Sequence, residues 1–402
     1  MTPPAQRLRS LDVLRGLAIL GTLGTNVWLF TNPYGLLGYL AAPIPPGTPA
    51  GWAAIGQVLQ QLAQGKFLGL LTLMFGIGLE IQRRSAIRRG RPWPGRYPWR
   101  AALLLLDGVL HYVLVVEFDV LMGYAVTGAV VSYLVVTSDR AQRTWMIVTG
   151  SVHVLVISAL TVLLITQPGT AAYPPMRTNV YAEGSWWDLL LLRVQNPGIF
   201  RLEPILITGY SIFMFLLGAR LLRAGVLEPA GAMLRRRLMI IGGAGFVVDF
   251  VIQVVGGSDG VLFGRYTTAA LVSLGLLALV TEIVLRTRAG WFSRRLEQIG
   301  RMALSSYVAQ NLIASILCYG WGFGLATRMS DEWRVPGTMI IFAATAVLIA
   351  LFAALWQLRF ARGPVELAWT WCYDKINSGL DRVLSKPQPE REAVVSGSDR
   401  LR

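Results

Sequence analysis

Along this chain apolar residues gather in runs of about 18 to 25, and short polar stretches separate them. Roughly 20 consecutive apolar residues cross the hydrocarbon core of a bilayer as one helix. The pattern predicts ten spans, at residues 11–31, 66–82, 100–117, 118–137, 144–166, 203–222, 238–256, 261–285, 302–321 and 338–358. Between the third and fourth there is room only for a tight reversal at Glu117-Phe118-Asp119. The expected fold is therefore an all-α polytopic membrane protein, a bundle of about ten transmembrane helices.

The first run, LDVLRGLAILGTLGTNVWLF, is long and apolar enough to cross, yet it carries Asp12, Arg15 and Asn26. A charge in hydrocarbon costs roughly 2.5 to 3.5 kcal/mol even on the mild insertion scale, so such groups face a bundle interior or a hydrated cavity. Asp12 and Arg15 are three residues apart, on one helical face, where they can neutralise each other. An internal polar cavity is the resulting expectation.

Composition agrees: 54% of the residues are hydrophobic, 15% are charged, and mean hydropathy is +0.53. A net charge of +15 could speak for a nucleic-acid partner. The arginines, however, crowd into alternate connections: Arg7 and Arg9, the stretch from Arg83 to Arg100, Arg140 and Arg143, Arg220 to Arg237, and Arg286 to Arg301. The intervening stretch 32–51 holds no positive charge. This alternation is the positive-inside pattern, and it predicts both termini on the cytoplasmic side of a bacterial cytoplasmic membrane, with no nucleic-acid partner. Lysine occurs only at Lys66, Lys375 and Lys386, a bias expected of a GC-rich bacterial genome. No short apolar stretch with a cleavage site precedes the first span, so no cleaved signal peptide is expected. Tryptophans at span ends, Trp28, Trp52, Trp99, Trp321 and Trp356, suit an interfacial belt. Cys318 and Cys372 should lie at different depths, and no cluster has metal-ligand spacing, so neither a disulfide nor a metal is expected.

Two outer connections are long. Residues 32–51 are rich in proline and glycine, and 167–202 hold QPGTAAYPPM followed by the amphipathic SWWDLLLLRV; both read either as walls or lids of an outward-facing cavity or as passive connectors. Residues 54–64 read as an interfacial helix, 322–337 (with Arg328, Asp331, Glu332 and Arg334) as a solvated loop, and 386–402 as a disordered tail.

Only two histidines exist, and both fall within predicted spans. Imidazole is the side chain whose ordinary pKa suits proton transfer near neutrality. His111 lies six residues before Glu117 and eight before Asp119, so a carboxylate just past the turn can fold back and orient it as a general base. His153 has no acidic neighbour and reads as a packing histidine. Other polar residues at depth or at span edges are Lys66, Asp107, Asp249, Arg265, Glu282, Gln310 and Asn311; interhelical hydrogen bonding is the default use of the two amides, and Lys66 can snorkel. No phosphate-binding glycine loop, Walker loop, HExxH or paired-carboxylate signature is present, so nothing in the chain is equipped to hydrolyse ATP.

Several segments match one family pattern. RLRSLDVLRGLAILGTLGTN resembles the first segment of the heparan-α-glucosaminide N-acetyltransferase-like proteins and of the bacterial YeiB-like family of unknown function. GKFLGLLTLMFGIGLEIQRR resembles the second YeiB-like motif, and GVLHYVLVVEFDVLMGYA the third, with its His and Asp in place. IGRMALSSYVAQNLIASILCYGWGFGL and WQLRFARGPVELAWTW are similar to the YeiB-type C-terminal domain. The resemblance implies an N-terminal five-helix half at 1–166, an extracytoplasmic loop at 167–202, a C-terminal five-helix half at 203–385, and the tail.

The wider transmembrane acyltransferase superfamily moves an acyl group from cytoplasmic acyl-CoA to an extracytoplasmic sugar. For this chain the resemblance implies acyl-CoA, with acetyl-CoA the expected donor, and a glycan or glycolipid acceptor in the cell envelope. A related bacterial acyltransferase family carries a catalytic histidine eleven residues after an arginine in a similar RGLA context, and here that position is Asn26. Asparagine is no base at neutral pH. The outer-loop histidine of the heparan enzymes also has no counterpart between Asn32 and Lys66. The base would then be His111, oriented by Asp119 with help from Glu117. Asp12, Arg15, Asn26, Lys66, Tyr307, Gln310 and Asn311 would bind donor or acceptor. One alternative is a transporter or flippase for a metabolite or lipid-linked sugar, for which a polar bundle interior is equally expected; another is a catalytically inactive member serving as a membrane scaffold. The sequence leaves the oligomeric state open, a homodimer being one option.

Overall fold

The computed structural model describes residues 4–166 and 179–384; the expected tail at 386–402 and part of the second outer connection lie outside them. Helices account for all regular structure among the described residues. The N-terminal part comprises α1 (Pro4–Thr31), α2 (Gly35–Ala41), α3 (Ala50–Ala63), α4 (Lys66–Arg88), α5 (Tyr97–Leu114), α6 (Leu121–Leu134) and α7 (Asp139–Thr166). Four short helices follow, α8 (Val180–Glu183), α9 (Trp186–Gln195), α10 (Pro197–Phe200) and α11 (Leu202–Leu206). The remainder is α12 (Thr208–Arg223), α13 (Ala232–Phe263), α14 (Ala269–Arg286), α15 (Trp291–Arg301), α16 (Ala303–Cys318), α17 (Leu325–Arg328), α18 (Arg334–Trp356) and α19 (Pro364–Leu384).

Each of the ten expected spans falls on a helix, but six stretches are both long and apolar enough to cross a membrane: Arg9–Thr31, Ala50–Arg88, Asp139–Thr166, Pro229–Gly256, Gly260–Arg286 and Asp331–Trp356. For two of the others the difference is one of length. Leu121–Leu134 and Ala303–Cys318 are apolar but shorter, and at about 1.5 Å per residue the former rises only about 21 Å, less than the roughly 30 Å of hydrocarbon.

α1 joins two apolar cores. Its Leu11, Leu14 and Ala18 pack with α4, α12 and α14, while Leu23, Val27 and Phe30 pack with α16 and α18. Lipid supplies no hydrophobic drive between helices, so close backbone approach must hold them. At the crossing of α1 with α15, a Cβ on Gly16 would sit 2.0 Å from the Leu296 carbonyl oxygen, and one on Gly300 would sit 1.8 Å from that of Asp12. Any larger residue there separates the two helices. The helices differ in how deeply they sit: 72% of the apolar window containing α4 is buried, against 11% for α7, which leaves α7's Ile147, Val152 and Leu155 to face lipid.

Two readings need correction. Trp28 lies in the core rather than in an interfacial belt, because α3 folds back over it and Gly56 lies against its ring. The 322–337 connection is not simply solvated: Arg334 is buried and donates to the carbonyls of Thr31 (2.9 Å), Met329 (2.8 Å) and Ala326, tying the connection to the end of α1.

Candidate functional site

The reversal at 115–120 places two carboxylates inside the protein. α5 ends at Leu114 and α6 starts at Leu121, so Glu117 and Asp119 sit on the turn, and both are buried. Asp119 folds back to His111, with Oδ1 3.0 Å from Nδ1 and both side chains almost wholly excluded from solvent. A carboxylate can only accept, so Nδ1 carries the proton and the Nε2 lone pair is left facing α16. There the Asn311 amide donates to it at 3.2 Å, and the Asn311 oxygen accepts from Asn26 of α1 at 3.3 Å. The second Asp119 oxygen accepts from the Met122 amide at 3.1 Å, which ties the carboxylate to the first turn of α6. One polar chain thus runs Asn26, Asn311, His111, Asp119 across three helices and a turn.

Glu117 does not reach the imidazole. It accepts from the Tyr181 hydroxyl at 2.8 Å and pairs with Arg193 at 3.4 Å. Arg193 also donates to the Val113 carbonyl, and Arg201 donates to the carbonyls of Asp119 (3.1 Å) and Glu117 while its guanidinium lies 4.0 Å from the Tyr112 ring centre. These two arginines hold the turn, and sequence reasoning missed them; the only signal was Arg193 at the end of the amphipathic SWWDLLLLRV. That run forms α9. Its start is a capping box in which the Ser185 hydroxyl and amide donate to Asp188 and hold that carboxyl below the usual carboxylate range. Trp186 then donates to the Leu114 carbonyl at 2.9 Å, docking α9 on the end of α5.

An open cavity of about 830 Å³ lies on the other side of Tyr307, whose ring centre is 4.9 Å from that of His111. Its deeper wall is apolar, formed by Ile19, Leu71, Met74, Phe75, Leu121 and Ala125. Toward the arginine-rich end it is lined by Arg15, Arg100, Arg301 and Arg362, with Trp369 and Tyr373 of α19. Arg15 lies 3.5 Å from Asp12, the pairing expected from their spacing, and Arg301 joins them at 3.7 Å. α19 and α15 were not read from the sequence as helices. Their signal was amphipathic, with too many charges for a span: Glu366 and Asp374 in α19, and three arginines and a glutamate in α15.

The remaining candidates lie elsewhere. Gln310 donates to the Thr22 hydroxyl at 3.3 Å between α16 and α1. Lys66 is buried at the start of α4, where it pairs with Asp249 and donates to the carbonyls of Gln61 and Gln64. Asp249 also accepts from Thr268 (2.6 Å) and Gln253 (2.8 Å). None of these residues lines the cavity. His153 Nε2 lies 2.8 Å from the Tyr266 carbonyl; a carbonyl only accepts, so Nε2 is the donor. This suits the packing role expected of it.

Residues 221–375 match the family described as "Protein of unknown function (DUF418)". Over 387 residues, 91% of this chain and 93% of the relative, it is 27% identical to the uncharacterized protein YxaH of Bacillus subtilis (strain 168). Over 399 residues, 91% of this chain and 95% of the relative, it is 27% identical to the uncharacterized protein YeiB of Escherichia coli (strain K12). Together these similarities support a YeiB-like family of unknown function.

Proposed function

We propose that this YeiB-like chain is a membrane acyltransferase that takes a short acyl group from CoA at its arginine-rich end and places it on a hydroxyl or amine of a cell-envelope glycan or glycolipid. One observation carries the reading: the oriented His111–Asp119 pair stands behind Tyr307 at the cavity's edge. An imidazole with Nδ1–H held by a buried carboxylate presents Nε2 as a base, which is the arrangement general-base catalysis requires. Topology supports the sidedness. The N-terminal ends of α1, α5 and α16 and the C-terminal end of α4 carry the cavity's arginines or their neighbours, while His111 and Asn26 lie near the opposite ends of their helices. With the arginine-rich connections in the cytoplasm, ten crossings in all and both termini inside, the donor enters from the cytoplasm and the acceptor from outside.

In the reaction, the Asn311 amide rotates away from Nε2 and the acceptor hydroxyl takes its place. The hydroxyl oxygen attacks the thioester carbonyl while its proton passes to Nε2. Collapse of the tetrahedral intermediate breaks the carbon–sulfur bond, and the imidazolium returns the proton to the thiolate, releasing CoA–SH and the acyl ester. Asp119 fixes the tautomer and steadies the imidazolium. The Tyr307 hydroxyl, within reach of the Asn311 side chain, lies where it can donate to the developing oxyanion. Asn26, at the position where a related family has its histidine, is connected to His111 through Asn311, so base and amide have exchanged places along one chain of contacts.

The test is label transfer from radioactive acetyl-CoA to a membrane glycolipid extract by the purified chain. Transfer that depends on His111 supports the reading; full transfer by His111→Ala removes it. The buried Lys66–Asp249 pair favours a second reading, transport, because a paired charge at membrane depth is common on substrate pathways. Substrate accumulation in proteoliposomes without acyl-CoA would favour that reading instead.

A further inference from the structure

The mouth of the cavity has a chemistry that the transfer step does not require. Trp369 and Tyr373 are one helical turn apart on α19, and their rings stack at 5.6 Å with planes 11° apart. The Arg100 guanidinium of α5 lies 4.6 Å from the Tyr373 ring centre and 5.5 Å from that of Trp369, oriented by the Gln82 side chain at 2.6 Å. Arg362 reaches the same helix through the Thr370 hydroxyl at 2.9 Å. Among the described residues Arg100 and Arg362 meet no carboxylate within ion-pair range, whereas Arg15 and Arg301 share Asp12. Glu366, which also lines the mouth, is occupied: it accepts from the Leu304 and Ser305 amides and the Ser305 hydroxyl, capping α16, where its charge offsets the helix dipole. The mouth therefore combines an aromatic stack, two guanidiniums without acidic partners among the described residues and, at Asp374, an acceptor beside the stack.

We infer that this mouth recognises the adenosine 3′,5′-bisphosphate end of the donor, with α19 as the stacking wall. The inference rests on the acyl-transfer reading of the cavity and deepens it. Every nucleobase offers a flat face to an aromatic ring or an arginine plane, and phosphates pair best with guanidiniums. The base lies against Trp369 and Tyr373, the phosphates meet Arg100 and Arg362, and the pantetheine arm runs inward along Ile19, Leu71 and Phe75 toward Tyr307. Asp374 accepts from the exocyclic amine or a ribose hydroxyl. The nucleotide is what separates a CoA thioester from the thioester of an acyl-carrier protein, which has the same phosphopantetheine arm without one.

The test is equilibrium binding to the full chain in lipid nanodiscs without an acceptor, so that no turnover is needed. The probes are acetyl-CoA, adenosine 3′,5′-bisphosphate and 4′-phosphopantetheine, with discs made either of neutral lipid or with added phosphatidylglycerol. The expected result is that the bisphosphate competes with acetyl-CoA and phosphopantetheine competes poorly in both kinds of disc. Trp369→Ala with Tyr373→Ala should weaken acetyl-CoA about tenfold or more. Trp369→Phe with Tyr373→Phe, which keeps two flat rings, should restore most of it, and a thermal unfolding midpoint near that of the unaltered chain shows that the alanine variant is folded. Unchanged affinity in the folded alanine variant overturns the inference. So does competition by phosphopantetheine alone, or loss of nucleotide binding when phosphatidylglycerol is present, which would assign the guanidiniums to lipid headgroups. Binding as described but no transfer to any acceptor would end the acyltransferase reading and leave this assignment standing; transfer with binding unaffected by the alanines would do the reverse.

Discussion

Two of the buried carboxylate–base pairs in this helical bundle, His111 with Asp119 and Lys66 with Asp249, differ in what surrounds them. Asp249 spends its oxygens on Lys66, Thr268 and Gln253, and none of these partners lines the cavity. The charges cancel, and the pair holds the start of α4 to α13 and to the turn before α14. His111 is instead held on one nitrogen by a carboxylate and on the other by a neutral amide, and the ring beside it, Tyr307, is part of the cavity wall. An amide can rotate away at small cost; a charged partner in hydrocarbon cannot. Burial and pairing therefore do not by themselves mark a reactive site. On the acyl-transfer proposal, a replaceable partner next to an open space does.

The comparison breaks most visibly at His111. His111→Ala should lower transfer by roughly 10²- to 10⁴-fold, the usual range for loss of a general base, measured as initial rate with saturating donor. If Lys66→Met had the same effect in a folded protein, the distinction between the two pairs would fail. Asp119→Asn comes next: an amide can donate to Nδ1 and hold the wrong tautomer, so kcat should fall on the order of 10²-fold or more with the KM for donor little changed. An equal rise in KM would mean that Asp119 shapes the cavity instead. For the other pair the expected effect is on stability. Removing one partner of a buried ion pair costs about 3 to 5 kcal/mol, so Lys66→Met or Asp249→Leu alone should lower the unfolding midpoint sharply, while the double variant recovers most of the loss and keeps its activity. The smallest effect is at Asn311. Asn311→Ala leaves Nε2 free and removes two hydrogen bonds, to His111 and from Asn26, each worth about 0.6 kcal/mol on average between membrane helices. Activity should change less than tenfold while the midpoint falls slightly.

Much of the fold was legible because a period of apolar runs is a strong signal: every expected span lies on a helix, and the reversal at Glu117-Phe118-Asp119 is where the spacing put it. Length was harder to read. α6 and α16 are shorter than the apolar windows around them, since a window counts apolar turn residues such as Val120 and Tyr319 as span. α15 and α19 were missed because amphipathic helices at an interface carry the charges that a span search treats as loop. At the site, the contact of His111 with Asp119 followed from chain proximity, eight residues across one turn. Asn26, Asn311 and Tyr307 could be named as polar or aromatic residues at depth, but their meeting with His111 depends on which faces of α1, α5 and α16 turn together, and periodicity does not specify that. Arg193, Arg201 and Arg334 were illegible for a similar reason: each saturates backbone carbonyls far along the chain, and carbonyls leave no mark on a sequence.

The central claim is that the cavity delivers a thioester to His111 Nε2. It is tested most directly by a structure of the chain in nanodiscs with a ketone analogue of acetyl-CoA that cannot be cleaved. The account predicts the analogue's nucleotide against α19 and its carbonyl carbon on the His111 side of Tyr307, within one acceptor atom's reach of Nε2, roughly 3 to 3.5 Å for each reacting contact. A saturating analogue that leaves the cavity empty, or one whose carbonyl stops short of an unmoved Tyr307 with Asn311 still bound to Nε2, would contradict it.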